Sequence, residues 1–198
     1  TMATLKDTMQ RIVTAICSTL DMLKWKYSRL DTVLCREASF ILSQELEDMY
    51  PALTPKEREY EYVRKYKTAC ILQIGGKLKS GNPHDMRAPD YDDWELNGDI
   101  LFWSEELQMP MELSSMGIRV SPESLIEQLK LSNCEHRLEY PFHRALADGK
   151  LPYTIGGGIG QSRLCMLLLQ KAHIGEVQSS CWDEGTIDIC RNAGVRLL

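Results

Sequence analysis

Residues 151–170, LPYTIGGGIGQSRLCMLLLQ, set Gly156, Gly157, Gly158 and Gly160 ahead of Arg163 and an apolar run. Glycine carries no Cβ, so a flat or charged group can approach its main chain closely. Arginine keeps its charge, stacks on aromatic rings and forks onto carboxylate or phosphate oxygens. Two familiar phosphate loops are nevertheless excluded. No lysine follows the last glycine, so G-x-x-x-x-G-K-[ST] fails, and a G-x-G-x-x-G begun at Gly156 ends on Gln161. On the pattern alone, a turn that contacts a ligand and a packing turn whose arginine caps a neighbouring element stand level.

Other groups capable of chemistry lie upstream. KLKSGNPHDMRAPDYDDWELNG, residues 77–98, concentrates Asp, Arg and His between prolines and glycines. Asp99 and Glu112 fall on GDILFW and MELSS, which a hairpin could bring to one edge; by spacing alone they are two surface carboxylates. The seven cysteines form no C-x-x-C pair and match no zinc spacing. Free thiols in a reducing compartment are expected, which points to the cytoplasm. His84, beside Asp85, is expected to be a structural loop histidine, and His143 and His173 carry less signal still.

The elements that must position these groups follow from periodicity. Met2, Leu5, Met9, Ile12, Val13, Ile16, Leu20 and Leu23 recur at helical spacing, giving a long first helix whose apolar stripe needs a cover. REASFILSQELEDMY, residues 36–50, is expected as a second helix that stops before Pro51. Thr54-Pro55-Lys56-Glu57 is a capping box with proline at the first helical position, opening a helix through KEREYEYVRKYK. TACILQI, residues 68–74, is a short buried strand. Residues 77–98 have no apolar period and are expected as a long irregular loop, a class that tends to be functional or disordered. DILFW and MELSSMGIRV are expected as strands joined by a polar turn. Ser121-Pro122 caps a helix through PESLIEQLKL, and a short helix begins near Pro141. The last strong helix is expected to start inside the glycine cluster and run through SRLCMLLLQ. Unequal runs of helix and strand, without regular βαβ alternation, predict an α+β fold with an antiparallel sheet flanked by helices.

Composition bounds the rest. A chain of 198 residues, 43% hydrophobic and 26% charged, suits one sizeable globular domain. No apolar run approaches the roughly 20 residues of a membrane span. TMATLKDTMQRIV places acidic and polar residues where a signal peptide needs an apolar core. A net charge of −5 weighs against a nucleic-acid groove.

Side by side, GGKLKSGNPHDMRAPDYDDW, LNGDILFW, MELSSMGIRV and TIGGGIGQSRLCMLLLQ followed by HIGEVQ resemble the ammonia-dependent asparagine synthetases (aspartate–ammonia ligases), relatives of the class II aminoacyl-tRNA synthetases. The resemblance runs in order from about Thr1 to Trp182. It implies a class II synthetase-like catalytic core, with residues 1–198 as the C-terminal portion of a single domain. It also implies ATP-dependent amidation of L-aspartate by ammonia through a β-aspartyl-adenylate, releasing AMP and pyrophosphate. The glycine–arginine element resembles the third class II motif, so Gly160 and Arg163 are implied to contact ATP. Asp99 and Glu112 match nucleotide- and Mg²⁺-contacting positions, with Leu113 beside adenine or ribose; hard oxygen ligands suit that ion. Arg87, Asp92, Ser114 and Ser115 are implied to bind aspartate. Arg87 would fork onto a carboxylate, Asp92 would balance an ammonium, and the serines would offer neutral hydrogen bonds. Arg87, Asp92 and Arg163 are the groups on which catalysis would fall; Asp90 and Asp93 are expected in a solvated acidic turn, with support roles only.

The family's first motif, which forms its homodimer, and its second, whose arginine grips the α-phosphate, have no counterpart here. Residues 1–50 match the helical segment that follows them. The chain is then a fragment or a shortened form, and its first helix and sheet edge lack the surfaces that cover them in the family. The tail after Trp182 is assigned no role. Two other functions compete: an inactive nucleotide-binding remnant, and a catalytic fragment of an aspartyl- or asparaginyl-tRNA synthetase. The acidic balance disfavours the second.

Overall fold

The apolar stripe of the first helix, α1 (Met2–Lys26), lies across one face of a five-stranded sheet in the computed structural model, which describes residues 1–198. Thr1 caps the helix, and Leu5, Met9, Val13 and Leu20 are buried against Cys70, Leu72, Ile100 and Phe102 of the sheet. The stripe is therefore covered within the chain, correcting the expectation that its cover is missing. Only its far end stays bare, with Trp25 91% exposed.

The strands are β1 (Ser39–Leu42), β2 (Thr68–Leu72), β3 (Asp92–Ser104), β4 (Met109–Arg119) and β5 (Ile155–Ile159), in that spatial order. β1 runs parallel to β2 and the other neighbours are antiparallel, so the expected antiparallel sheet carries one parallel pair at its edge. On the face opposite α1, helices α2 (Ser43–Met49) and α3 (Pro55–Tyr66) bury Leu46, Tyr62 and Val63 on Ala69, Ile71, Leu101 and Trp103. Helix α3 starts as its sequence dictates: Thr54 Oγ1 accepts from the Glu57 N–H, and Glu57 reaches back to the Thr54 N–H at 2.8 Å. Helices α4 (Pro122–Leu131) and α5 (Pro141–Ala147) form a satellite core with Val120, Leu125, Leu129 and Leu146. Helix α6 (Gln161–Leu168) packs under β4, and α7 (Glu184–Asn192) lies in the tail. No helix is long and apolar enough to cross a membrane.

Three expected boundaries move. REASFIL is not helical: Ser39–Leu42 pair with β2, and the helix begins only at Ser43, where Glu45 receives the Leu42 N–H at 2.9 Å. The ladder with β2, with Ile41 buried, outweighs the weak helical preference of a Phe-Ile pair. The loop ends at Tyr91, because Asp92–Gly98 extend β3 with polar side chains that hide any apolar period. The glycine cluster is a strand, and α6 starts after Gly160. Its backbone groups bond β4 in register, which asks nothing of side chains.

One irregularity sets the site. Ile100 lies opposite Ser114, yet Leu101 lies opposite Glu112, so Leu113 is an extra residue on β4. Such a bulge lets two consecutive side chains share a face. Glu112 and Ser115, three apart, consequently join Asp99 and Leu101 on the α3 side. Leu113 and Ser114 turn to the α1 side.

Candidate active site

On the α3 face, α2 and α3 cover Leu101 and Trp103. Two residues along β3, Asp99 is opposite Ser115 of β4, which is opposite Gly158 of β5. The loop of residues 77–91 is held beside this row by side chains from both flanks. Glu47 of α2 accepts from the Ser80 hydroxyl (2.8 Å), and Glu59 of α3 pairs with His84 (3.0 Å). From the other flank, Gln128 of α4 donates to the carbonyls of Pro89 (3.0 Å) and Asp92 (3.1 Å). Asp90 accepts from Arg137 and His143, each at 2.8 Å. The loop is thus irregular but fixed, and it presents Asp85 and Arg87 to the sheet, where Asp92 opens β3.

The result is a row of alternating charges. Arg163 donates to the Glu112 carbonyl at 3.0 Å and sits 3.6 Å from its carboxylate. Arg87 bonds Asp99 and reaches Asp85 at 3.3 Å. Arg119 bonds Asp92, donates to the Tyr91 hydroxyl at 3.0 Å and lies 3.9 Å over the Tyr91 ring. Burial pushes the Glu112 carboxyl above the usual range, and neighbouring Asp99 adds to it. Burial likewise raises Asp92, outweighing the pull of Arg119. For Arg87 the balance is reversed: burial would lower it, but Asp99 and Asp85 together hold the guanidinium above its ordinary value.

A divalent cation fits part of this row. Asp99 Oδ1 is buried with no partner, and Glu112 lies close enough to feel the Asp99 charge. No cluster of three or more His, Cys, Asp or Glu side chains exists that would form an all-protein cage. Two carboxylates with the remaining ligands from a substrate is the pattern of Mg²⁺.

The glycines divide by face. A Cβ on Gly157 would lie 2.4 Å from the Met116 Cβ, so this glycine serves packing. A Cβ on Gly156 would strike the Arg119 guanidinium at 2.6 Å, so that one clears room for Arg119. Gly158, beside Ser115, has nothing within 4 Å of where a Cβ would stand. Gly160 is the N-cap of α6, whose first turn has no side-chain cap.

The structure therefore gathers Arg87, Asp92, Asp99, Glu112, Ser115, Gly160 and Arg163 along one side of the sheet. It does not bring Leu113 and Ser114 with them. Leu113 is 1% exposed in the core with α1, its carbonyl taken by the Gly160 N–H at 2.8 Å, and Ser114 is 2% exposed on that same face. The bulge explains both corrections. Asp90, expected in a solvated acidic turn, is instead largely buried between Arg137 and His143, and Asp93 accepts from the Glu95 N–H at 2.9 Å. Sequence reasoning missed Arg119, whose only signal was a lone cation in an otherwise uncharged strand end, and Lys56 and Glu59, which read as an ordinary helix start. All seven cysteines are free.

The family model for aspartate-ammonia ligase matches residues 1–194. The aspartate–ammonia ligases of Clostridium perfringens (strain SM101 / Type A) and Lactobacillus acidophilus are 54% and 57% identical to it, each across 98% of this chain and 58% of the relative. The chain thus spans somewhat over half the length of the curated relatives it matches. Among solved structures, asparaginyl-tRNA synthetase of Entamoeba histolytica in complex with asparaginyl-adenylate gives a TM-score of 0.61 at 13% identity, covering 88% of this chain and 43% of that one. Aspartyl-tRNA synthetase from the same organism gives 0.58 at 18%, covering 90% and 40%. At such identities the likeness is one of fold, a class II aminoacyl-tRNA synthetase-like core, and carries no function by itself. The match along nearly its whole length places this chain in the aspartate–ammonia ligase family.

Proposed function

We propose that the protein acts in the ATP-dependent amidation of L-aspartate by ammonia to L-asparagine, through a β-aspartyl-adenylate, with release of AMP and pyrophosphate. The row of alternating charges on one sheet face carries this reading. It has Arg163 at one end and Arg119 at the other, and it suits substrates that bring a polyphosphate and a carboxylate to the same face.

Arg163, in the first turn of α6, would hold the phosphates, with the uncapped amides of that turn and the open backbone at Gly158 beside it. Arg87 and Arg119 would take the carboxylates of aspartate, and Ser115 would add a neutral hydrogen bond. Asp99 and Glu112 would hold Mg²⁺, which when bound neutralises phosphate charge. In the first step the β-carboxylate oxygen bonds to the α-phosphorus while the bond to pyrophosphate breaks. In the second, ammonia bonds to the acyl carbon and AMP leaves. Asp92 balances the ammonium and receives the proton it sheds, a role suited to a carboxyl whose proton affinity burial has raised.

Residues 1–198 would form the C-terminal portion of one catalytic domain in a cytoplasmic homodimer. The test is AMP formation from ATP, aspartate and ammonia by these residues joined to the rest of a family member. AMP that appears without aspartate, or asparagine formed without AMP, would refute the adenylate route.

A further inference from the structure

The first turn of α3 brings a second cation to the cavity that Arg163 lines. This cavity, of about 390 Å³, has Lys56, Glu59, Met111, Glu112, Arg163 and Met166 on its wall. Lys56 Nζ lies 3.0 Å from both carboxylate oxygens of Glu59, and one of those oxygens is 3.0 Å from His84 Nε2. Glu59 and His84 are buried, with side chains 8% and 1% exposed, while the Lys56 side chain is 67% exposed. An exposed i,i+3 ion pair alone would mean little. Here the carboxylate is sunk into the fold and pinned by a histidine, so it fixes the ammonium at the cavity wall rather than trading partners with solvent. Burial would lower the Lys56 pKa, but Glu59, and at longer range Asp85 and Glu112, outweigh it and keep the group charged.

Resting on the adenylating reading of this site, we propose that Lys56 works with Arg163 to bind the pyrophosphate that leaves when the adenylate forms. Glu59 and His84 act as positioning residues for its ammonium. Pyrophosphate carries more negative charge than Arg163, already shared with Glu112, can balance alone. When the bond between the α-phosphorus and the bridging oxygen breaks, its electrons stay on that oxygen. Lys56 meets the resulting charge as a fixed cation and transfers no proton.

The test titrates pyrophosphate with Mg²⁺ into residues 1–198 joined to the rest of a family member, as wild type and as Lys56→Gln, Lys56→Arg and Arg163→Ala, by calorimetry. Loss of a charged hydrogen bond should weaken binding by about 10- to 100-fold in Lys56→Gln and in Arg163→Ala. Lys56→Arg should stay within a few fold of wild type. In a second readout on the wild-type protein, pyrophosphate should suppress acetylation of Lys56 by acetic anhydride, followed by mass spectrometry, and aspartate should not. This holds whether or not the variants fold. Wild-type affinity in Lys56→Gln with a loss in Arg163→Ala, or acetylation unaffected by pyrophosphate, would overturn the role of Lys56 and leave the site reading intact. If the wild-type joined protein binds no pyrophosphate, or neither Lys56→Gln nor Arg163→Ala changes binding, both fall.

Discussion

Arg163 meets Glu112 at two points, its carbonyl and its carboxylate, yet its side chain remains 54% exposed. Such an arginine contributes little to folding, and its position at the head of α6 leaves the guanidinium for a ligand. Arg163→Ala should lower adenylate formation by about 10²–10³, the usual cost of removing a preorganised transition-state donor. Its melting temperature should be unchanged. Lysine should rescue poorly because it lacks the planar fork. Aspartate-dependent pyrophosphate exchange is the measurement, and unchanged exchange in the alanine variant would remove Arg163 from the site. Arg87 differs in kind. It is held by Asp99 and Asp85, so a substrate carboxylate would compete with groups already bound to it.

At the scale of elements, β5 and the loop do different work. Because Gly157 faces Met116 and Gly158 faces open space, alanine at the two positions should act oppositely. Gly157→Ala overpacks and should cost about 1–3 kcal/mol of stability. Gly158→Ala should fold as wild type within about 0.5 kcal/mol and yet bind ATP more weakly, since its methyl would stand where the ligand approaches. Urea denaturation and ATP titration of both variants decide it; undiminished ATP binding in Gly158→Ala would mean the open backbone serves no ligand. The loop depends on Asp90. Burial there raises the carboxyl, but hydrogen bonds from His143 and Arg137 outweigh it and hold Asp90 below the ordinary range. A depressed carboxyl lends stability above its unfolded pKa of about 3.9, which is lost as pH falls through the folded value. Asp90→Asn should therefore be less stable than wild type at neutral pH, with the gap closing in acid. Parallel stability curves for the two proteins below pH about 4 would show that Asp90 does not hold the loop.

For the whole molecule, the exposed margin is β5. Ile155 and Ile159 are 39% and 43% exposed, and no strand pairs its outer edge. Open edges invite association, and a lysine placed on one is a common block. A protein of residues 1–198 alone should self-associate and form AMP at a negligible rate. Ile155→Lys should reduce the association, and adding the remaining region of a family member should restore AMP formation. Light scattering beside an AMP assay reads both. A monodisperse, fully active monomer would mean that the charged row needs nothing beyond this chain.

What the sequence determined by itself was local. The α1 stripe, the Thr54–Glu57 capping box and the Ser121 cap are settled within one or two turns, by periodicity and by bonds between residues three or four apart. The motif wording was also enough to name the family, because its residues are contiguous. Tertiary structure decided which side chains share a face. The bulge at Leu113 moved Ser114 and Leu113 away from the site and Ser115 into it, and no spacing rule foresees an extra residue in one strand. β1 and β5 became strands because β2 and β4 offered ladders to them. Arg119 and Asp92 are 27 residues apart, Glu59 and His84 are 25, and Arg163 and Glu112 are 51. Those pairings form only when the sheet has brought distant segments together, since a charge does not encode its partner.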